Sequence, residues 1–234
     1  MKKLLIGASV LLLSTGAFAQ TKMTGETARF GLKAGVNLSR FHASGDGATD
    51  YNNNVKDNVG FNITGYGDFG VGNNFFIQPG ISLQNKGAKF EQTTTVGNLT
   101  TTNAVKTNLM VIEVPINAVF RIPTGDAGAV QISAGPYIGF NISGKNKIES
   151  TTTGTNAAGN SSSENDLKFG SSSDKDASST EFGANFGLAY RLNSGFTVGA
   201  NYGLGLSNLI PKDSRVDDNK LTNRVLGFSV GYSF

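Results

Sequence analysis

The sequence predicts an all-β chain, an eight-stranded antiparallel up-and-down transmembrane β-barrel with four long extracellular loops and short periplasmic turns. Three observations lead there. Apolar residues recur at every second position in eight segments, the period of a strand and not of a helix, and no convincing amphipathic helix interrupts them. The connections alternate between long polar stretches and short Gly/Asn/Pro turns, so in a meander all long loops project from one end. The apolar face carries no Lys, Glu or Asp in its central stretches, while the opposite face is mainly Gly, Asn, Ser and Thr with isolated charges.

The first twenty residues, MKKLLIGASVLLLSTGAFAQ, combine two lysines, an apolar run from Leu4 to Leu13 and small residues at Ala17 and Ala19. This is the layout of a secretory signal peptide, expected over 1–19, with the barrel domain over 20–234. The apolar run is about half of what a spanning helix needs, and no later stretch is longer. With no cysteine in the chain, neither disulfides nor a lipid-linked cysteine can hold the exported protein, so any membrane attachment falls to the fold.

In chain order, the first strand places Phe30, Leu32, Ala34, Val36 and Leu38 on one face, with Gly31, Lys33, Gly35 and Asn37 on the other. The second sets Val59, Phe61, Ile63, Phe69 and Val71 against Asn62, Thr64, Tyr66 and Asp68. The third sets Phe75, Ile77, Ile81 and Leu83 against Gln78, Ser82, Gln84 and Lys86. The fourth, from Ile112 to Ile122, faces Glu113, Asn117 and Arg121 the other way, and the fifth, from Val130 to Ile142, does the same with Gln131, Ser133, Tyr137 and Asn141. Strands six and seven begin at Phe182 and Phe196. The eighth alternates Leu226, Phe228, Val230, Tyr232 and Phe234, ending on rings suited to an interfacial girdle.

Short turns are expected at Asn73-Asn74, from Pro123 to Gly128, and at Asn193-Ser194-Gly195. Long polar loops are expected near 42–58, 87–107, 144–179 and 208–222. The longest, rich in Ser, Thr, Asn and Gly, reads as a surface appendage with a mobile tip, or as a hairpin extended beyond the membrane.

Charge decides which face points outward. A midplane Lys or Arg against lipid costs about 2–4 kcal/mol, which explains its exclusion from the apolar face. The outside of a soluble barrel would be rich in Lys and Glu, yet charged residues make up only 16% of the chain, against roughly 25% in ordinary soluble domains. Glycines, 31 of 234 residues, suit the narrow interior of an eight-stranded barrel. Without Lys2 and Lys3 the balance is 18 basic against 17 acidic residues, so the basic pI makes no case for nucleic acid.

The ordered phrases RFGLKAGVNLSRF, FFIQPGISLQNKG, VIEVPINAVFRI, GPYIGFNISGK and EFGANFGLAYRL, with the aromatic terminus, resemble the porin-like outer-membrane β-barrel family that includes PorT-type and OmpX-like proteins. The resemblance implies an eight-stranded outer-membrane barrel whose terminal Phe234 is read by the barrel-assembly machinery. It carries over no site residue, because the shared phrases are strand patterns.

Several motifs suggest chemistry. GYGDFG, with Gly65, Gly67 and Gly70, matches a dinucleotide fingerprint but runs on as strand, with no helix opening to cradle a phosphate. GFSVG around Ser229 matches a nucleophile elbow, yet only five residues follow it and none is His. His42, the only histidine, falls after the first strand beside Asp46 and Asp50 and reads as a solvated loop residue. Asp213, Asp217, Asp218 and Asn219 could collect a calcium ion, but they alternate with Lys212, Arg215 and Lys220 as in an ordinary mixed-charge loop.

Inside the barrel Lys33, Arg121 and Arg191 share the lumen with Asp68, Glu113 and Glu181, equal in number and expected to pair as a polar plug rather than to line a solute pathway. The expectation is therefore a non-enzymatic barrel with no catalytic, cofactor or metal residues. Its partners are the outer-membrane bilayer and the assembly machinery, and the loop partner stays unnamed. A small porin or secretion-accessory barrel is the alternative.

Overall fold

The computed structural model describes residues 28–154 and 159–234. The expected signal peptide lies outside the described residues. Among the described residues nine strands form: β1 (Arg29–Ser44), β2 (Val55–Gly72), β3 (Phe75–Val96), β4 (Leu99–Pro123), β5 (Gly128–Gly154), β6 (Gly159–Asp166), β7 (Thr180–Leu192), β8 (Phe196–Gly205) and β9 (Lys220–Ser233). One short helix, α1 (Ala48–Asn54), stands between β1 and β2.

Eight of the nine strands make a closed antiparallel ring in the order β1-β2-β3-β4-β5-β7-β8-β9. Pairing of β9 back onto β1, from Gly31↔Ser233 to Ser44↔Lys220, closes it. The ninth strand, β6, pairs only with the far half of β5, from Lys145↔Asp166 to Thr152↔Gly159, and stands outside the ring. Closure pairs each ring strand on both sides, which removes the free edges that an open sheet would expose.

The burial of the alternating residues shows which side is which. Ile116, Phe186 and Val230 are 50%, 49% and 63% exposed on the outer face. Asn37, Asn62, Asp68, Gln78, Glu113 and Glu181 are buried inside. A water-soluble barrel with an apolar core would show the reverse. On β1 the outward apolar run from Phe30 to Leu38 covers about nine residues, the length that crosses a bilayer as a tilted strand. At the short-turn end, Phe75 packs on Phe120 with ring centroids 4.8 Å apart, and Tyr232 lies between Phe196 and Phe234 at 5.0 and 5.3 Å.

The short turns fall where the sequence placed them. Asn74 takes the left-handed conformation at φ 64°, and Gly195 does so at φ 99°, which suits the tight reversals there.

The long connections are more ordered than expected. The stretch 87–107 is not a loop: β3 and β4 stay in register from Gly87↔Asn108 to Val96↔Leu99 and reverse at Gly97-Asn98. Its strands are mostly polar, and the scattered Ala88, Phe90, Ala104 and Val105 give no sustained apolar alternation, yet their many β-branched threonines favour extended backbone. The segment 42–58 holds helix α1, too short to show a helical period. Asn52 ties it to β1, its Oδ1 accepting from the Ala43 N–H and its Nδ2 donating to the Ala43 carbonyl, each at 2.9 Å.

The segment 144–179 continues as β5 and β6, and its remainder folds back instead of hanging free. The Leu167 N–H donates to the Gly144 carbonyl at 2.8 Å, and the Ser178 N–H to that of Leu209 at 2.8 Å. Together these segments cap the long-loop end with an apolar cluster of Phe41, Val55, Ala88, Leu109, Val111 and Leu209, joined by Tyr51, Leu167 and Phe169.

The two lumenal tyrosines each lie across a glycine on the neighbouring strand, Tyr66 opposite Gly31 and Tyr137 opposite Gly183. A methyl at Gly183 would lie 2.6 Å from Cε1 of Tyr137, whereas one at Gly65 meets nothing closer than Leu32 Cδ2 at 3.7 Å. Gly183→Val is therefore expected to destabilise the barrel by about 1–3 kcal/mol through overpacking, and Gly65→Ala to change stability far less. Denaturant unfolding of the refolded variants checks this.

Candidate functional site

The interior of the ring is the candidate site, because every strand aims its polar residues there. It has three levels. Nearest the capped end, Lys86 of β3 is fully enclosed between two carboxylates. It forms an ion pair with Glu113 of β4, and its Nζ donates to Glu181 Oε1 of β7 at 2.5 Å. Asn223 of β9 donates to the other Glu181 oxygen at 2.6 Å, and the Tyr137 ring covers Lys86 with its centroid 4.9 Å from Nζ. Four strands are thus joined through one ammonium group.

The middle level is an amide network. Asn37 donates to Gln84 Oε1 at 2.8 Å and accepts from Asn62 Nδ2 at 2.8 Å. A cavity of about 110 Å³ opens beside it, lined by Lys33, Asn117, Thr197 and Asn201 among others. Lys33 lies over the Tyr66 ring, 4.4 Å from its centroid, and the Tyr66 hydroxyl and Ser233 Oγ hydrogen-bond at 2.8 Å.

Toward the short turns, Arg121 Nη2 binds Asp68 Oδ2 at 2.5 Å, while Gln78 donates to Asp68 Oδ1 at 3.0 Å. With its amide oxygen turned toward Arg121, Gln131 accepts from Nε at 2.8 Å and Nη2 at 3.2 Å. Arg121 also stacks on Phe76, Cζ lying 3.6 Å from the ring centroid. The mouth here is a cavity of about 320 Å³, lined by Arg29, Asp68, Arg121 and Arg191 and by residues of all three short turns.

The expected lumenal charges all face this interior, but they do not pair as the count of three against three suggested. Lys86 is the added cation. The parity of Gln78, Ser82 and Gln84 had already placed it on the inner face, and extending that parity to the charges would have found it. Among the described residues Lys33 and Arg191 form no ion pair, so positive charge gathers at the short-turn end.

Beyond the ring, β3, β4, β5 and β6 continue as a four-stranded sheet. Three ranks of threonine cross it, Thr93-Thr102-Thr151, Thr94-Thr101-Thr152 and Thr95-Thr100-Thr153, with Thr93 and Thr102 hydroxyls 3.1 Å apart. Hydrogen bonds from Lys56 and then Lys89 hold the Glu91 carboxyl below the usual carboxylate range.

The remaining motifs resolve into strand and loop. Gly65, Gly67 and Gly70 lie within β2, and Ser229 lies within β9 opposite Gly35 and Gly199, where no strand-to-helix turn exists. His42 is inside β1, not after it, and is exposed. Asp213 sits in a short 3-10 turn with its N–H on the Ser171 carbonyl at 2.9 Å, and Asp217 has a left-handed backbone at φ 49°. Among the described residues no three His, Asp or Glu side chains converge as metal ligands.

A family model described as an outer membrane protein beta-barrel domain matches residues 18–211. No curated protein matches the chain. Among solved structures, the attachment invasion locus protein Ail of Yersinia pestis aligns at 16% identity over 88% of this chain and 99% of its own, with a TM-score of 0.41. Neisserial surface protein A aligns at 14% identity over 89% and 98%, with a TM-score of 0.34. The N-terminal barrel domain of Pseudomonas aeruginosa OprF aligns at 12% identity over 87% and 97%, with a TM-score of 0.31.

Removing Lys86 leaves two buried carboxylates side by side. Lys86→Met is expected to destabilise the barrel by about 3–5 kcal/mol, and adding Glu113→Gln and Glu181→Gln to recover most of that loss. Equilibrium unfolding of the single and triple variants checks the coupling.

Proposed function

The chain belongs to the outer membrane protein β-barrel domain family, and on that footing we propose that it is an integral, non-enzymatic outer-membrane barrel that displays a rigid surface for contacts outside the cell. The observation that carries this reading is the closed ring with its apolar side chains outward, a form that satisfies backbone polar groups within a bilayer. The signal peptide over 1–19 serves export, the barrel-assembly machinery inserts the chain, and the short turns face the periplasm.

In this reading the displayed surface is the sheet of β3 to β6 and its threonine ranks, with the folded caps beside it. Surplus strand length supports it: β4 and β5 run to 25 and 27 residues, while a barrel strand needs about 9–11 to cross. Envelope integrity or surface interaction follows from a body that fixes both ends of each exposed segment. The lumen is closed by the apolar cap and the Lys86 network, which favours a plugged body. The small-porin or secretion-accessory reading draws on the cavity of about 110 Å³ at mid-lumen.

Three measurements test the proposal. Membrane fractionation with unheated and heated gel samples should find the mature chain in the outer membrane with two mobilities, and a soluble form with one mobility would overturn it. In planar bilayers no stable conductance steps are expected, while reproducible steps would favour the porin reading. Ile116→Lys should cost about 2–4 kcal/mol in folding into lipid, whereas Ser161→Lys on exposed β6 should stay within about 0.5 kcal/mol.

A further inference from the structure

We propose that the short-turn end of the barrel is a binding site for a phosphate group. Three guanidinium groups, those of Arg29, Arg121 and Arg191, line one cavity of about 320 Å³ with a single carboxylate, Asp68. That carboxylate is already engaged, because Arg121 and Gln78 hold its two oxygens. Arg121 is likewise engaged, between Asp68, Gln131 and the face of Phe76.

Arg191 is different. It is only 9% exposed, it lines the cavity, and neither its Nε nor its Nη2 has a hydrogen-bond partner among the described residues. A buried guanidinium with two idle donors, no ion pair and only an already engaged carboxylate in the same cavity is unfavourable unless an anion completes it. The remaining cation at the rim, Arg29, is exposed and forms no ion pair among the described residues. Arg191 and Arg29 are therefore the two guanidinium groups of this cavity not committed to a carboxylate among the described residues, and a small turn of the Arg191 side chain would bring its unpartnered donors to a ligand there.

The chemistry of that ligand follows from the donors. A guanidinium presents a planar fork that matches two oxygens of a phosphate, and two such groups around one carboxylate already in use leave a net positive mouth. The cavity is at the lower end of the range for small-molecule sites, so it admits a phosphate carrying a small substituent as well as the free ion. Such a group could come from a soluble phosphate compound or from a phospholipid headgroup. The site itself rests on the fold alone, and only the lipid source rests on the membrane reading above.

The test uses the full mature chain refolded in zwitterionic detergent at low salt, titrated calorimetrically with inorganic phosphate and with glycerol 3-phosphate. A second arm places the protein in nanodiscs of phosphatidylcholine with or without phosphatidylglycerol and counts retained anionic lipid by native mass spectrometry. Saturable binding of one equivalent is expected in at least one arm, weakened tenfold or more by Arg191→Gln and measurably by Arg29→Gln. The exposed position of Arg29 makes its variant safe for folding, and retained gel mobility shift on heating verifies both variants. Binding in the soluble arm assigns a free phosphate compound, and binding in the lipid arm alone assigns a headgroup. The proposal is overturned if neither arm shows saturable binding, or if Arg191→Gln binds as tightly as the parent.

Discussion

Closure of the sheet is the constraint on which everything else in this molecule depends. Once β9 returns to β1, the ring itself has no free edge, and within it the backbone satisfies its own polar groups without water. That frees the outer side chains to be wholly apolar. It also forces the polar residues into an interior that eight strands leave barely wide enough to fill. Glycines such as Gly31 and Gly183 follow from the same narrowness, since Tyr66 and Tyr137 occupy the space their side chains would take.

Buried charge is the second consequence. Water cannot screen Lys86, so it is enclosed by two carboxylates and an aromatic face, and the network links β3, β4, β7 and β9. Asp68 plays the corresponding part for Arg121 near the short turns. The interior therefore resists a continuous water path at the capped end while staying open and positive at the other. Stability and function meet at this asymmetry, because the groups that pair shut the lumen while Arg191, one of the two inner cations without an ion pair among the described residues, lines the open mouth.

Much of the ring was legible in residue order. The outward positions of Ile116, Phe186 and Val230 follow from alternation, and the turns at Asn74 and Gly195 follow from residues that tolerate left-handed backbone. The threonine-rich extension was not legible, because mostly polar strands carry no sustained apolar period and look like loop. Helix α1 escaped for a related reason: seven residues are too few for a 3.6-residue period to show. Near the site, parity could place Lys86 inside but could not say which carboxylates it would meet.

Alternation is a local property of the backbone, since successive side chains on a strand must point to opposite faces, so residue order separated the two faces, and the scarcity of charge, not alternation, pointed the apolar one outward. Which inner groups touch was not. Lys86, Glu113 and Glu181 stand as many as 95 positions apart, and only ring closure and strand stagger bring them to one level. The same closure turned an expected three against three into two paired clusters and two cations without an ion pair among the described residues, Lys33 and Arg191, because pairing depends on distance across the barrel and not on the tally of signs.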